Sequence, residues 1–298
     1  TACLSDLRRA GSTDGSVATA RALGADVVSL DLQPPFTAAG ARNQGASHLL
    51  SAHPSTEFIQ FVDGDCSVDP DWLNAAAVVL TSNPQVGVVC GRRREARPEA
   101  SIYNRLCDLE WDTPIGDAKA CGGDSLMRAE AFSSVGGFNP WVIAGEEPEL
   151  CVRLRVKGWR ILRIDHEMTR HDAAMTSFRQ WWMRTLRAGH AYAEGAAMHG
   201  SPPERHCVRD VRSILLWGAL LPAVALMAAW TTRGLSVAVL LLVYLLQAGR
   251  IAAKEVRRGR SRADSRLYGA FMVVAKFPLM LGVVKYWVNR LRGTRSKI

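Results

Sequence analysis

Glu57-Phe58-Ile59-Gln60-Phe61-Val62 is an apolar run that stops abruptly at Asp63-Gly64-Asp65. Phe58, Ile59, Phe61 and Val62 are aromatic or β-branched, so the run predicts a buried strand. The carboxyl end of such a strand is where open α/β sheets bind their ligands. Two carboxylates one residue apart at that point are hard oxygen donors suited to Mg²⁺ or Mn²⁺. Gly64 between them leaves the backbone open to a phosphate or a sugar. The same three residues also fit an ordinary turn, so their meaning depends on what else the chain carries.

The surrounding pattern alternates. Ser16 to Leu23 reads as a helix, Val27 to Leu30 as a short strand and Ala39 to Leu50 as a helix. Asp69-Pro70-Asp71-Trp72 reads as a helix start with Asp69 as cap and Pro70 at the first helical position. Val86 to Val89 and Ser125 to Arg128 read as strands, the second followed by a short helix and the turn Gly136-Gly137-Phe138. Glu146 to Lys157 reads as a helix with acids in its first turn and Arg153, Arg155 and Lys157 towards its end, a charge order that suits the helix dipole. Gly158 terminates it, and Ile161 to Ile164 follows as a strand. This alternation predicts an α/β fold, a mostly parallel sheet flanked on both faces by helices.

Charge divides the chain in two. The net charge is +9, but from Ser201 onward there are 17 Lys/Arg against 4 Asp/Glu, and before it 20 against 24. Apolar content of 48% supports a real core in the mildly acidic first part. The basic and very apolar second part points to a membrane partner and away from nucleic acid, since no RNA-binding aromatic signature accompanies the basic residues. The sequence therefore predicts a catalytic-type domain over residues 1–200 and a membrane-associated region over 201–298, with helices at about 213–230, 235–249 and 267–288. Arg205, Arg209 and Arg212 precede the first apolar run, and Arg250, Lys254, Arg257 and Arg258 follow the second. Positive flanks favour the cytoplasmic side, so the two runs read as a hairpin with both ends inside. Lys276 and Lys285 interrupt the third run, which reads as an interfacial or re-entrant helix, with a third span as the runner-up. Seven scattered cysteines without a CxxC pair favour reduced thiols and a cytoplasmic domain. Thr1 to Ala10 lacks the apolar core of a signal peptide.

Several short signals then fall in one order: Gly11-Ser12-Thr13-Asp14-Gly15-Ser16, Ala41-Arg42-Asn43-Gln44-Gly45, Asp63-Gly64-Asp65, Gly136-Gly137-Phe138, Gly145-Glu146-Glu147-Pro148-Glu149-Leu150 with Arg153, and His171. Together they resemble the inverting family 2 glycosyltransferases with the GT-A fold, over about Gly11 to Gly189. The resemblance implies a nucleotide-sugar donor held by Asp14, Arg42, Asp63, Asp65, Gly122 and Gly123. It implies a divalent ion, Mg²⁺ or Mn²⁺, bound by Asp65 with Asp63 and His171, His166 being the runner-up histidine. The family usually has Glu-Asp at the base position, where this chain has Glu146-Glu147, so Glu147 takes the base role and Glu146 stays open. Those acids also suit a helix N-terminus without any catalysis. Asp124, Trp181 and Trp182 would border the acceptor, the tryptophans lying in Gln180-Trp181-Trp182-Met183-Arg184, a partial Q-x-x-R-W segment with Thr185 in place of the final tryptophan. An amphipathic helix resting on the membrane is the alternative for this segment. Arg92-Arg93-Arg94 with Arg97 reads as a solvated face or as a contact for an acidic lipid phosphate.

The resemblance also implies an apolar strand, a helix and a second strand ahead of Gly11. Arg8, Arg9 and Ala10 stand where that second strand would end, so the domain is expected to be shortened at its start. The expected activity is transfer of a sugar from a nucleotide diphosphate to a lipid-linked or cell-surface glycan, at the inner or plasma membrane with the catalytic domain facing the cytoplasm. A non-catalytic membrane scaffold of the same fold and a metal-dependent nucleotidyltransferase are the alternatives.

Overall fold

The structure, a computed structural model, describes residues 15–28, 30 and 37–294. In chain order these form α1 (Ser16–Ala22), α2 (Ala38–Ala52), β1 (Phe58–Phe61), β2 (Cys66–Val68), α3 (Trp72–Ser82), β3 (Val86–Glu95), α4 (Ile102–Trp111), β4 (Gly116–Asp117), β5 (Ser125–Arg128), α5 (Ala129–Ser134), α6 (Glu146–Val156) and β6 (Arg160–His171). There follow α7 (Phe178–His199), α8 (Val208–Leu215), a π-helical turn (Leu216–Leu220), α9 (Leu221–Met227), α10 (Leu235–Arg257), α11 (Arg262–Val274) and α12 (Lys276–Leu291). The chain divides into two compact units, Thr1–Ala96 with Trp111–Ala173, and Arg97–Glu110 with Ala174–Ile298. The second unit thus takes in α7 and most of α4, which the sequence had grouped with residues 1–200. The shortened start expected from the resemblance falls on Thr1 to Asp14, outside the described residues.

The first unit is built on a sheet of order β1-β5-β3-β6-β2, with β4 also paired to β6. The α/β layering is as expected, but the sheet is mixed. Only β3 and β6 run parallel; the other four described pairings are antiparallel. The reason is that β5 enters between β1 and β3 in the reverse direction, while the short β2 and β4 fold back onto β6. Those two partners, with β3, also explain why β6 reaches twelve residues where apolar content alone marks Ile161 to Ile164. Val27, Val28 and Leu30 join none of these strands; Ser29 lies outside the described residues.

Alternation sets the faces. Along β1, Ile59 and Phe61 point inward, and Phe61 meets Phe132 and Phe138 at ring separations of 5.1 and 5.2 Å. Trp72 is fully buried at the start of α3, with its Nε1–H donating to Gln60 Oε1 at 2.8 Å. Gly91 makes room for it, since a Cβ there would lie 2.7 Å from the Trp72 ring. α3 begins at Trp72, later than expected, because Asp69 Oδ1 accepts the Asp71 N–H and closes a turn ahead of the helix.

In the second unit α7 opens with a capping box in which Ser177 and Gln180 satisfy each other's backbone. α7 crosses α12 closely through small residues: a Cβ on Gly189 would meet Leu279 O, and one on Gly282 would meet Leu186 O, each at 2.1 Å. Among the described residues, three helices are long and apolar enough to cross a membrane, Val208–Met227, Leu235–Arg257 and Arg262–Leu291. Gly234, in the left-handed region at φ 86°, starts α10 after the turn from α9. The third segment breaks at Ala275 between α11 and α12 and buries 33% of its apolar stretch, against 17% and 6% in the other two. Lys276, one of its two lysines, donates to Ser213 Oγ at 3.1 Å.

Candidate active site

The end of β1 is pinned from beneath. Asp124 is wholly buried, and its Oδ1 accepts the Asp63 N–H at 2.9 Å. Its Oδ2 accepts Arg93 Nε at 2.9 Å, Thr169 Oγ1 at 2.7 Å and the Cys66 thiol at 3.3 Å. One carboxylate therefore ties the Asp63 loop to β2, β3 and β6. The chain reverses as Cys66 N–H donates to Asp63 O, and β2 then pairs with the end of β6 so that Cys66 faces His171. That register brings His171 Nε2 to 3.3 Å from Asp65 Oδ1. The His171 ring stands edge-on against Trp111, 4.9 Å between centroids.

Asp63, Asp65, Cys66 and His171 each offer one donor atom, all within 4.8 Å of one another. Burial, and then the charge of Asp124, push the Cys66 thiol well up, so it stays a protonated donor to Asp124. Two carboxylates and an imidazole remain, a donor set that fits a divalent ion. His171 Nδ1 is buried and has no hydrogen-bond partner, which marks the ring as one whose position is set by something other than a hydrogen-bond network.

Arg42 links this cluster to the start of α6. From α2 it donates to Asp63 Oδ1 at 2.5 Å and to Glu146 Oε1 at 2.6 Å, with its guanidinium 5.5 Å from the centre of the Phe138 ring. Arg93 approaches Asp63 Oδ2 at 3.5 Å from the other side and lies over Trp111. Glu147 turns inward. Its Oε1 accepts the Cys121 N–H at 2.5 Å and the Cys151 thiol at 3.1 Å. Burial raises its proton affinity above the ordinary glutamate value, and the hydrogen bonds from Cys121 and Cys151 oppose that rise. Gly123 closes the gap between the two groups. A Cβ there would sit 2.6 Å from Asp63 Oδ2 and 2.8 Å from Arg93 Nη2.

The expected motif residues thus divide by role. Asp63, Asp65, His171, Arg42, Glu146, Glu147, Gly122 and Gly123 all lie in the first unit. Asp14 lies outside the described residues. His166 Nδ1 donates to Glu167 O at 2.8 Å, beside Trp72 and outside the donor cluster. Asp124, expected at an acceptor, has both oxygens committed to the Asp63 loop and no exposed surface. Trp181 is buried in the second unit between Phe178 and Phe271, at 5.5 and 4.9 Å, while Trp182 beside Phe178 is half-buried. Gln180 is used in the capping box and Arg184 pairs with Glu110 at 2.7 Å. The arginine run is only in part a solvated face: Arg92 and Arg93 turn inward to Asp112 and Asp124, whereas Arg94 pairs with Glu167 at the surface and Arg97 is exposed.

Other motif positions hold the frame. Asn43 makes two hydrogen bonds of 2.8 Å with the backbone of Phe138, clamping α2 to the Gly136-Gly137-Phe138 turn. Glu149 and Arg153 pair within α6 at 2.7 Å, and Arg153 also donates to Val135 O. Sequence reasoning missed Thr169 and Trp111, and it noted Arg93 without its partners Asp63 and Asp124. For Arg93 a signal existed: in a strand, the middle of three arginines points away from its neighbours.

Residues 10–129 match the family model described as glycosyl transferase family 2. Among curated proteins, the chain is 26% identical over 138 residues to glucomannan 4-beta-mannosyltransferase 7 of Arabidopsis thaliana, covering 43% of this chain and 24% of that protein. It is 28% identical over 172 residues to pre-mycofactocin glycosyltransferase of Mycobacterium tuberculosis, covering 54% of this chain and 35% of that one. The chain therefore spans between a quarter and about a third of the length of these relatives. Among solved structures it resembles the mannosyltransferase PcManGT of Pyrobaculum calidifontis, a complex with GDP-Man and Mn²⁺, at 16% identity and a TM-score of 0.57 over 94% of this chain and 76% of that one. That likeness identifies the fold as GT-A.

Proposed function

This chain carries a glycosyl transferase family 2 domain, and from that premise we propose that it is a metal-dependent inverting glycosyltransferase that moves a sugar from a nucleotide diphosphate to a hydroxyl of a lipid-linked or cell-surface glycan. One observation carries the reading. Donor atoms of Asp63, Asp65 and His171 converge at the end of the sheet, and Arg42 joins Asp63 to the acidic start of α6.

The chemistry assigned to these residues is a single displacement. The acceptor oxygen forms its bond to the anomeric carbon as the bond from that carbon to the diphosphate oxygen breaks, and the acceptor's proton passes to a carboxylate. Glu147 is the proposed base, because burial raises its affinity for that proton. Glu146, engaged by Arg42, orients the arginine against Asp63. A divalent ion, Mg²⁺ or Mn²⁺, held by Asp63, Asp65 and His171 would supply positive charge to the departing diphosphate. Gly122 and Gly123 offer the donor sugar a backbone without side chains, and Trp182 is the tryptophan with surface left for an acceptor ring. The three apolar helices support an acceptor at a membrane, and the arginines at their flanks support a cytoplasmic catalytic domain.

The test is release of nucleoside diphosphate by the purified chain in detergent, across a panel of nucleotide sugars with Mn²⁺. GDP-mannose heads the panel, because PcManGT binds it and the plant relative is named a mannosyltransferase. Glu147→Gln is expected to lower transfer by about 10²- to 10⁴-fold, the range for loss of a general base, while donor binding persists. Unchanged turnover would remove Glu147 from the base role. No release from any donor would favour the scaffold alternative.

A further inference from the structure

The described residues hold a second cluster of metal-ligating side chains. Cys121, Glu147 and Cys151 offer one donor atom each within 4.8 Å of one another, and all three are buried. Cys151 lies one helical turn after Glu147 on the same face of α6, and Cys121, in the loop before Gly122, is held to them by its N–H, which donates to Glu147 Oε1. Their sulfurs are 3.6 Å apart. Cys151 Sγ is 3.1 Å from Glu147 Oε1.

Two chemistries suit a close pair of thiols. A disulfide requires the sulfurs to close to about 2.0 Å, in a buried place that an oxidant does not reach. A tetrahedral ion with Zn–S bonds of about 2.3 Å holds its two sulfurs about 3.8 Å apart, close to the separation already present. Two thiolates and a carboxylate form a soft donor set that prefers Zn²⁺ to the Mg²⁺ or Mn²⁺ favoured by oxygen donors. We propose that Cys121, Cys151 and Glu147 form a second metal site, selective for a thiophilic divalent ion such as Zn²⁺ and separate from the Asp63, Asp65 and His171 set. On binding, each thiol forms a Zn–S bond and yields its proton to the buffer, and the carboxylate fills a third position with water in the fourth. Zn²⁺ there also removes the Glu147 carboxylate from proton transfer. This consequence rests on the role proposed for Glu147 above; the binding does not.

X-ray absorption at the zinc edge tests the site on the full chain in detergent, with Mn²⁺ in excess and one equivalent of Zn²⁺. Two sulfur scatterers at about 2.3 Å are expected. One sulfur, as at a site containing Cys66, or none, would overturn the proposal. Titration with Co²⁺ gives a second measurement through its thiolate charge-transfer band. The band should vanish in Cys151→Ala and survive in Cys66→Ala, each variant first checked by thermal unfolding; the opposite pattern would overturn the proposal. If Cys151→Ala does not fold, the absorption result on the wild-type chain decides. Diphosphate release by the wild-type chain should fall by about 10²- to 10⁴-fold with Zn²⁺ bound, as expected for Glu147→Gln. Two-sulfur binding without inhibition would sustain the site and remove Glu147 as base.

Discussion

Asp124 shares its two oxygens among the Asp63 backbone, Arg93, Thr169 and Cys66 without any exposure to solvent. Asp124→Ala strands the Arg93 guanidinium and releases the loop, so it should cost about 3–5 kcal/mol, the range for breaking a buried ion pair from one side. Thermal unfolding in detergent measures this. Glu147 makes a prediction of opposite sign. Its folded-state proton affinity is raised by burial, so the folded chain holds that proton more tightly than the unfolded one. The stability this contributes is complete below the ordinary glutamate value of 4.5 and is lost as pH rises through the higher folded value. Glu147→Gln should therefore unfold at a higher temperature than the wild-type chain at neutral pH, with the gap closing towards pH 4.5. An equal gap at both pH values would contradict the sign. Strand ends and motif order single out Asp63, Asp65 and His171 in the sequence, and their donor atoms lie within 4.8 Å of one another. Cys66 opposite His171 and Asp124 beneath Asp63 were not, because they depend on a strand register that no local pattern records.

At the scale of elements, α6 was legible from its acid-to-base charge order and from Gly158, which adopts φ 90°. β1, β5 and the start of β3 were legible from apolar content. β2 and β4, with three and two residues, are too short for any periodicity, and together with the reversed β5 they turn an expected parallel sheet into a mixed one. α7 was legible as an amphipathic helix, but its Gln180 and Arg184 serve a capping box and Glu110. The close crossing of α7 and α12 gives the test at this scale. Gly282→Val places side-chain atoms into Leu186 O, and an overpacked helix contact costs about 1–3 kcal/mol or more. It should lower the unfolding temperature, whereas Gly249→Ala, with nothing within 4 Å of its Cβ position, should not.

Across the whole molecule, the apolar C-terminal helices were legible from length and charge, while the division of the chain was not. Residues 97–110 join the second unit from within the first stretch of sequence, and only a tertiary pairing such as Arg105 with Asp264 records it. The hairpin orientation predicts that a cysteine placed by Thr231→Cys is labelled by an impermeant maleimide from outside sealed cells, and one placed by Ser261→Cys only after lysis. The central claim is that Asp63, Asp65 and His171 hold a divalent ion against a nucleotide diphosphate. Calorimetry of GDP and UDP binding with Mn²⁺ tests it most directly. Binding should need Mn²⁺ and weaken about tenfold or more in Asp65→Asn, as for loss of a direct ligand. Equal affinity in EDTA, or in Asp65→Asn, would contradict it.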